Sequence, residues 1–216
     1  MKDEECRFRA ALGRCLGHHA TVSHSQAEAL YRHYRLLCRW NRVVNLTAIE
    51  ELEEAVERHY AEAIYLSGFL GQGESRVADL GAGAGFPGLP VAVVRPECEV
   101  HLVEAGRKKC TFLKEAARDL ANVHVRQMRW QDLSERFDWV LSRAVSAKDL
   151  ATSLPRLGAR FAVLASEGAW PAWRAIPGTD WAAPVRLPWG RRRALLLGWS
   201  VPRETSGDRC SPGCST

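Results

Sequence analysis

At 216 residues, 46% of them hydrophobic, the chain is long enough to fill one good core and too short for two full domains with linkers. A formal charge of +5, from 30 basic and 25 acidic residues, favours polyanionic partners and equally suits an ordinary, mildly basic soluble protein. Seven scattered cysteines without a C-x-x-C pair indicate neither a disulfide framework nor a zinc site, no metal is expected, and neither an export signal nor a membrane anchor is read, so a reducing cytoplasm is the expected location.

From Asp3 to Leu16 the residues Phe8, Ala11, Leu12, Cys15 and Leu16 recur at helical spacing among charges and predict an amphipathic helix. Ser25 with Glu28 reads as a capping box that opens a second helix towards Trp40-Asn41, its apolar face continued by Leu30, Tyr34 and Leu37. A third helix, about Glu50 to Leu66, starts with acidic residues where the helix dipole favours them, and Gly68, Gly71 and Gly73 end it.

The pattern then changes to short apolar runs alternating with helical segments, which is what βαβ units around a parallel sheet require. Strands are expected at Arg76 to Leu80, Val100 to Val103, Val123 to Arg126, Trp139 to Ser142 and Arg160 to Leu164. Helices fall between them at Leu89 to Val94, Lys108 to Leu120 and Lys148 to Leu157. Pro184 to Leu187 and Ala194 to Ser200, separated by Pro188-Trp189-Gly190, read as a closing antiparallel hairpin. The division is then a helical extension over 1–70, a Rossmann-like domain over 71–202, and a Ser, Gly and Pro-rich tail over 203–216 that is expected to be disordered.

Chemistry concentrates where the strand ending Asp79-Leu80 runs into Gly81-Ala82-Gly83-Ala84-Gly85-Phe86-Pro87-Gly88. A turn this rich in glycine either passes close to a ligand or adopts positive φ repeatedly. A nicotinamide fingerprint spaces its glycines G-x-G-x-x-G, whereas here Asp79 precedes G-x-G-x-G at Gly81, Gly83 and Gly85, the spacing of S-adenosylmethionine enzymes. About twenty residues on, the next strand ends in Glu104, where a carboxylate can accept from both ribose hydroxyls. A plain tight turn is the alternative for the glycines, and an acidic strand end is unremarkable alone.

On these residues, together with Trp40-Asn41, Asn45-Leu46-Thr47, Arg58-His59, Lys108-Lys109, Phe112-Leu113, Arg129, Phe137-Asp138 and Ser142-Arg143-Ala144, the chain resembles the bacterial 16S ribosomal RNA guanine-N7 methyltransferases, the RsmG or GidB family. The resemblance spans roughly Tyr34 to Ala165. It implies an α/β fold of the Rossmann-like class I S-adenosylmethionine-dependent methyltransferases, with a mostly parallel seven-stranded sheet, a C-terminal antiparallel hairpin and N-terminal helices. It implies methyl transfer to N7 of guanine-527, with 16S rRNA or the small ribosomal subunit as partner, no membrane, and a monomeric enzyme. By the same resemblance Gly81 and Phe86 line the cofactor pocket, Trp130 and Gln131 flank the adenine, and Arg143 stands at the cofactor facing the reaction centre. Arg143 serves either the methionine carboxylate or the guanine O6. Where the family has a hydroxyl residue, an acidic residue and a Lys-Gly pair, this chain has Ala105, Gln131 and Ser166-Glu167-Gly168.

Guanine N7 carries no proton, so attack on a methyl group needs no general base, and none of the Asn/Asp-Pro-Pro-Tyr/Phe or Pro-Cys elements of other nucleic-acid methyltransferases is present. For RNA contact the basic run Arg107-Lys108-Lys109 beside the cofactor turn is the first candidate, with Arg191-Arg192-Arg193 behind it. Arg32, Arg35, Arg39 and Arg42 share a helical face that suits a phosphate stripe and a solvated surface equally. A pocket lined by Trp170, Trp173, Trp181 and Trp189 would instead favour a small-molecule substrate.

Overall fold

The computed structural model describes residues 2–189 and 192–201, so the tail expected to be disordered, with Cys210 and Cys214, and Arg191 lie outside the described residues. Helix α1 (Lys2–Leu16) and helix α2 (His24–Asn41) lead into a continuous helical stretch over residues 52–67. The capping box sits two residues earlier than the sequence suggests: the Ser23 hydroxyl accepts from the Gln26 amide at 3.2 Å, and the Gln26 side chain accepts from the Ser23 amide at 2.9 Å. Gln26 decides the start, because its amide nitrogen also reaches the carbonyls of Val93 and Val94 and ties the helix end to the core.

The 52–67 stretch is α3 (Leu52–Ala55), a π turn over Val56–Ala61, and α4 (Glu62–Ser67). Within the wide turn Val56, His59, Tyr60 and Ala61 are all buried, more than a 3.6-residue period places on one face.

Next come β1 (Ser75–Leu80), α5 (Gly88–Val94), β2 (Cys98–Glu104), α6 (Arg107–Ala116), β3 (Val123–Gln127) and β4 (Phe137–Arg143). The expected helix over Lys148 to Leu157 is two short ones, α7 (Ala147–Leu150) and α8 (Leu154–Leu157), because Pro155 has no N–H to continue a helix from the preceding turn. After β5 (Gly158–Ser166) and α9 (Trp170–Arg174), the chain closes with β6 (Thr179–Trp181), β7 (Val185–Arg186) and β8 (Arg193–Ser200).

The strands form one sheet in the order β3-β2-β1-β4-β5-β8-β6, with β7 also on β8. The first five are parallel, and β8 runs antiparallel to β5, β6 and β7. Among the described residues, eight strands thus replace the expected seven. The added one, β6, is only three residues long and fits because Gly198 has no side chain: a Cβ there would lie 2.6 Å from the Trp181 ring.

Alternate strand residues serve opposite faces, as the pleat requires. Val77, Val100, Leu102, Leu141 and Leu164 join the cluster built with α1, α2 and residues 52–67. Ala78, Leu80, Val103, Val140 and Phe161 join the one built with α7, α8 and Trp173. Trp173 and Trp181 are buried in that second cluster, while Trp189 stacks edge-on to Tyr65 in the first. The late tryptophans therefore fill core and do not converge on one pocket.

Candidate active site

The parallel strand order places the C-terminal ends of β1, β2 and β4 side by side, where ligands of open α/β sheets bind. From β1 the chain turns through Gly81, Gly83 and Gly85, all with positive φ. The amides of Gly81 and Ala82 both donate to the Val103 carbonyl, at 2.9 and 3.1 Å, which bends the turn over the end of β2. A Cβ on Gly81 would lie 2.9 Å from Val145 and 3.7 Å from the Trp130 ring, so the connection after β4 and the turn after β3 wall this glycine from two sides.

Glu104, at the end of β2, accepts from the Gly83 amide at 3.1 Å and from the Gly106 amide at 2.7 Å, which fixes its carboxylate against the turn. Asp79 is fully buried; one oxygen accepts from the Gly88 amide at 2.8 Å and the other has no partner. Burial pushes its carboxyl up to about 7, opposed by the Gly88 hydrogen bond and by the charge of Arg143. Trp130 opens a single 3-10 turn, half-buried with an unpartnered indole N–H, and Gln131 beside it is exposed. Positive-φ glycines walled by an aromatic ring, a fixed carboxylate and orphaned buried polar atoms suit a nucleoside cofactor without a phosphate.

Phe86 points the other way. Its ring stacks on His59 with centroids 4.5 Å apart and meets Tyr60 and His33 edge-on at 5.1 Å, so it anchors the turn to the helices. His33 strengthens the same joint, contacting the Ala84 carbonyl at 3.1 Å and the Tyr60 hydroxyl at 2.9 Å, and burial lowers its pKa to about 4. Nothing in the sequence marks His33 beyond its place on an apolar helix face.

The stretches quoted before the glycine turn have a concrete purpose. Asn41 accepts from the amides of Leu46 and Thr47 and donates to the Thr47 carbonyl, closing the loop after α2. That loop aims the Thr47 hydroxyl at His59 Nε2, 2.9 Å away. The other His59 nitrogen is buried without a partner, and burial, with the charges of Arg143 and Arg58, holds the ring neutral with a pKa of about 2.

Arg143, the last residue of β4, is 13% exposed and its Nε lies 3.7 Å from Glu62 without a hydrogen bond. Glu62, 1% exposed on α4, is instead taken by Arg193 of β8 through two bonds of 2.6 and 2.8 Å. Burial draws the Arg143 pKa down to about 10, with Glu62 opposing, so the group stays cationic at neutral pH. Sequence reasoning missed Glu62 entirely and placed Arg193 among surface RNA contacts; their only signal was a carboxylate three residues after His59.

Arg107 and Lys108 are exposed and Lys109 half-buried where α6 starts, directly after Glu104. The arginine face of α2 is laced with carboxylates: Arg32 pairs with Glu28, Arg35 with Glu4 and Arg39 with Glu115, which favours the solvated reading over a phosphate stripe. Glu167 pairs with Arg186 at 3.2 Å.

The family model described as rRNA small subunit methyltransferase G matches residues 26–171. The chain is 36% identical over 202 residues to ribosomal RNA small subunit methyltransferase G 1 of Syntrophobacter fumaroxidans, covering 87% of this chain and 89% of that protein. It is 37% identical over 154 residues to the corresponding protein of Stenotrophomonas maltophilia, covering 67% and 70%. Among solved structures, a SAM-dependent methyltransferase from Aquifex aeolicus superposes with a TM-score of 0.57 at 15% identity, covering 68% of this chain and 93% of that one, a likeness of fold.

Proposed function

This chain belongs to the rRNA small subunit methyltransferase G family, and from that premise we propose that it methylates N7 of a single guanine in 16S rRNA, guanine-527 by the family resemblance. It is an S-adenosylmethionine-dependent rRNA methyltransferase with a class I fold. The observation that carries the reading is the walled glycine turn at Gly81 to Gly85 with Glu104 fixed against it, within the matched residues 26–171.

When bound, S-adenosylmethionine supplies an electrophilic methyl group. The residues that would hold it are Asp79, Gly81, Gly83, Gly85 and Glu104 at the tips of β1 and β2, with Trp130 and Gln131 beside the adenine. Phe86 contributes by locking the turn to the helical layer.

The remaining task is orientation, because N7 needs no proton removed. Arg143 fits it: Arg193 occupies both oxygens of Glu62, so the Arg143 guanidinium keeps donors free for an oxygen of the reacting pair, either the methionine carboxylate or guanine O6. His59 stays neutral and adds no competing charge. Arg107, Lys108 and Lys109 supply a cationic rim for the rRNA backbone. No helix among the described residues is long and apolar enough to cross a membrane; the reading is of a cytoplasmic enzyme acting as a monomer on ribosomal particles.

The test is transfer of labelled methyl from S-adenosylmethionine to small subunits that lack the N7 mark, to naked 16S rRNA and to large subunits. Labelling confined to small-subunit RNA is expected. Equal labelling of large-subunit RNA, or none of any RNA, would reject the substrate assignment.

A further inference from the structure

A second cluster lies on the same sheet at the other end of β2. Glu99 and His101 alternate on one face of β2, and His124 is the register partner of His101 on the edge strand β3. The β3–β4 connection carries a single turn, Trp130–Asp132, in place of a helix that would cover this part of the face. Glu99 and His124 are therefore 43% and 47% exposed at the side chain, while His101 behind them is 2% exposed.

His101 Nε2 is buried and makes no aligned hydrogen bond, although Glu99 Oε1 lies 3.1 Å away. The same oxygen lies 3.2 Å from His124 Nε2, and the three donor atoms all fall within 4.8 Å of one another. A tetrahedral zinc ion with bonds of about 2.0 to 2.1 Å holds neighbouring donors roughly 3.3 Å apart, which is close to these separations.

We propose that Glu99, His101 and His124 form a divalent transition-metal site of the zinc class, two imidazoles and one carboxylate with a fourth position open to water. Glu99 precedes Glu104 by five strand residues, about 16 Å along β2. The ion therefore clamps edge strand β3 to β2 and takes no part in methyl transfer.

Two arginines set the terms of binding. Arg76 faces the other oxygen of Glu99 at 3.4 Å and pairs with Glu135 at 2.7 Å. Arg126 pairs with Glu135 at 3.0 Å and its Nε donates to His101 Nδ1 at 3.3 Å. The two carboxylates balance the two guanidiniums. Ligation through His101 Nε2 puts the ring's single proton on Nδ1, so Arg126 must give up that contact and keep Glu135 alone. Arg126 is thus the competitor of the metal.

The experiment titrates the full chain with zinc chloride by calorimetry and thermal melting, and with cobalt chloride by visible absorption. One ion per chain, a melting temperature raised by several degrees, and cobalt d–d bands without a thiolate charge-transfer band are expected. His124→Ala, at a half-exposed position, should weaken the ion roughly tenfold or more, and Arg126→Gln should tighten it, with methyl transfer unchanged in His124→Ala. Zinc binding unaffected by His124→Ala, a cobalt–thiolate band, or no binding at all would each overturn the proposal.

Discussion

The glycine turn and the Glu62 cluster stand at the same end of the sheet and are built by opposite means. Residues 79–88 are contiguous, and their geometry is set by backbone: positive φ, amides bonded to Val103, and absent side chains where Val145 and Leu102 approach. Glu62, Arg143 and Arg193 come from three distant segments; two charge-assisted hydrogen bonds join Glu62 to Arg193, and Arg143 stands beside them by charge. A backbone-built site fails when an atom is added, and a charge-built site fails when an atom is removed. The backbone of residues 81–88 should therefore be most sensitive to added side-chain atoms, and the Glu62 cluster to loss of a charged partner.

The largest expected effect belongs to Asp79, because its buried carboxyl has a pKa of about 7 against an ordinary value of 3.8. Between those values the unfolded chain has released this proton and the folded one retains it, so raising pH favours unfolding until the folded group also ionises. Asp79→Asn should therefore gain stability relative to the parent as pH rises from about 4 to 7 and no more above that, a change on the order of 4 kcal/mol. Paired melting curves across that range check it; a gap independent of pH would remove Asp79 as the titrating group.

Glu62→Gln leaves two guanidiniums without a carboxylate at a buried position and should cost about 3 kcal/mol in denaturant unfolding, whereas Arg143→Ala, which removes the bystander of that pair, should cost much less. In turnover the order reverses: Arg143→Ala should lower single-turnover methyl transfer about a hundredfold. Cofactor titration of the same variant separates the two oxygens Arg143 can serve. Weakened binding points to the methionine carboxylate, and unchanged binding with slow transfer points to guanine O6.

Gly81→Ala adds a methyl 2.9 Å from Val145 at a φ of 76°, and should weaken S-adenosylmethionine about tenfold while leaving subunit binding unchanged. At the small end, Arg32→Ala removes an exposed pair with Glu28 and should move stability and rRNA affinity by less than about 0.5 kcal/mol. A large loss of rRNA binding in that variant would restore the α2 face as a phosphate contact.

The same contrast decides what could be read from sequence. The βα alternation from Ser75 to Ser166 and the Asp79 to Gly88 turn are local patterns, and strand positions follow them to within two or three residues. The capping box slipped to Ser23 because Ser-x-x-Gln and Ser-x-x-Glu are both present, and only the contact of Gln26 with Val93 and Val94 chooses between them. The π turn at Val56–Ala61 has no period of its own, and β6 is too short to alternate. Glu62 and Arg193 are 131 residues apart, so no spacing rule links them. Arg193 reads as surface charge because it stands in a basic run, yet the strand turns it inward.

The central claim is tested most directly by locating the methyl group. Small subunits lacking the mark, incubated with the enzyme and labelled S-adenosylmethionine, are cleaved chemically at N7-methylguanine and the ends mapped. A single cleavage, at guanine-527, is the predicted result. Label that resists N7-specific cleavage, or that spreads over several guanines, would contradict it.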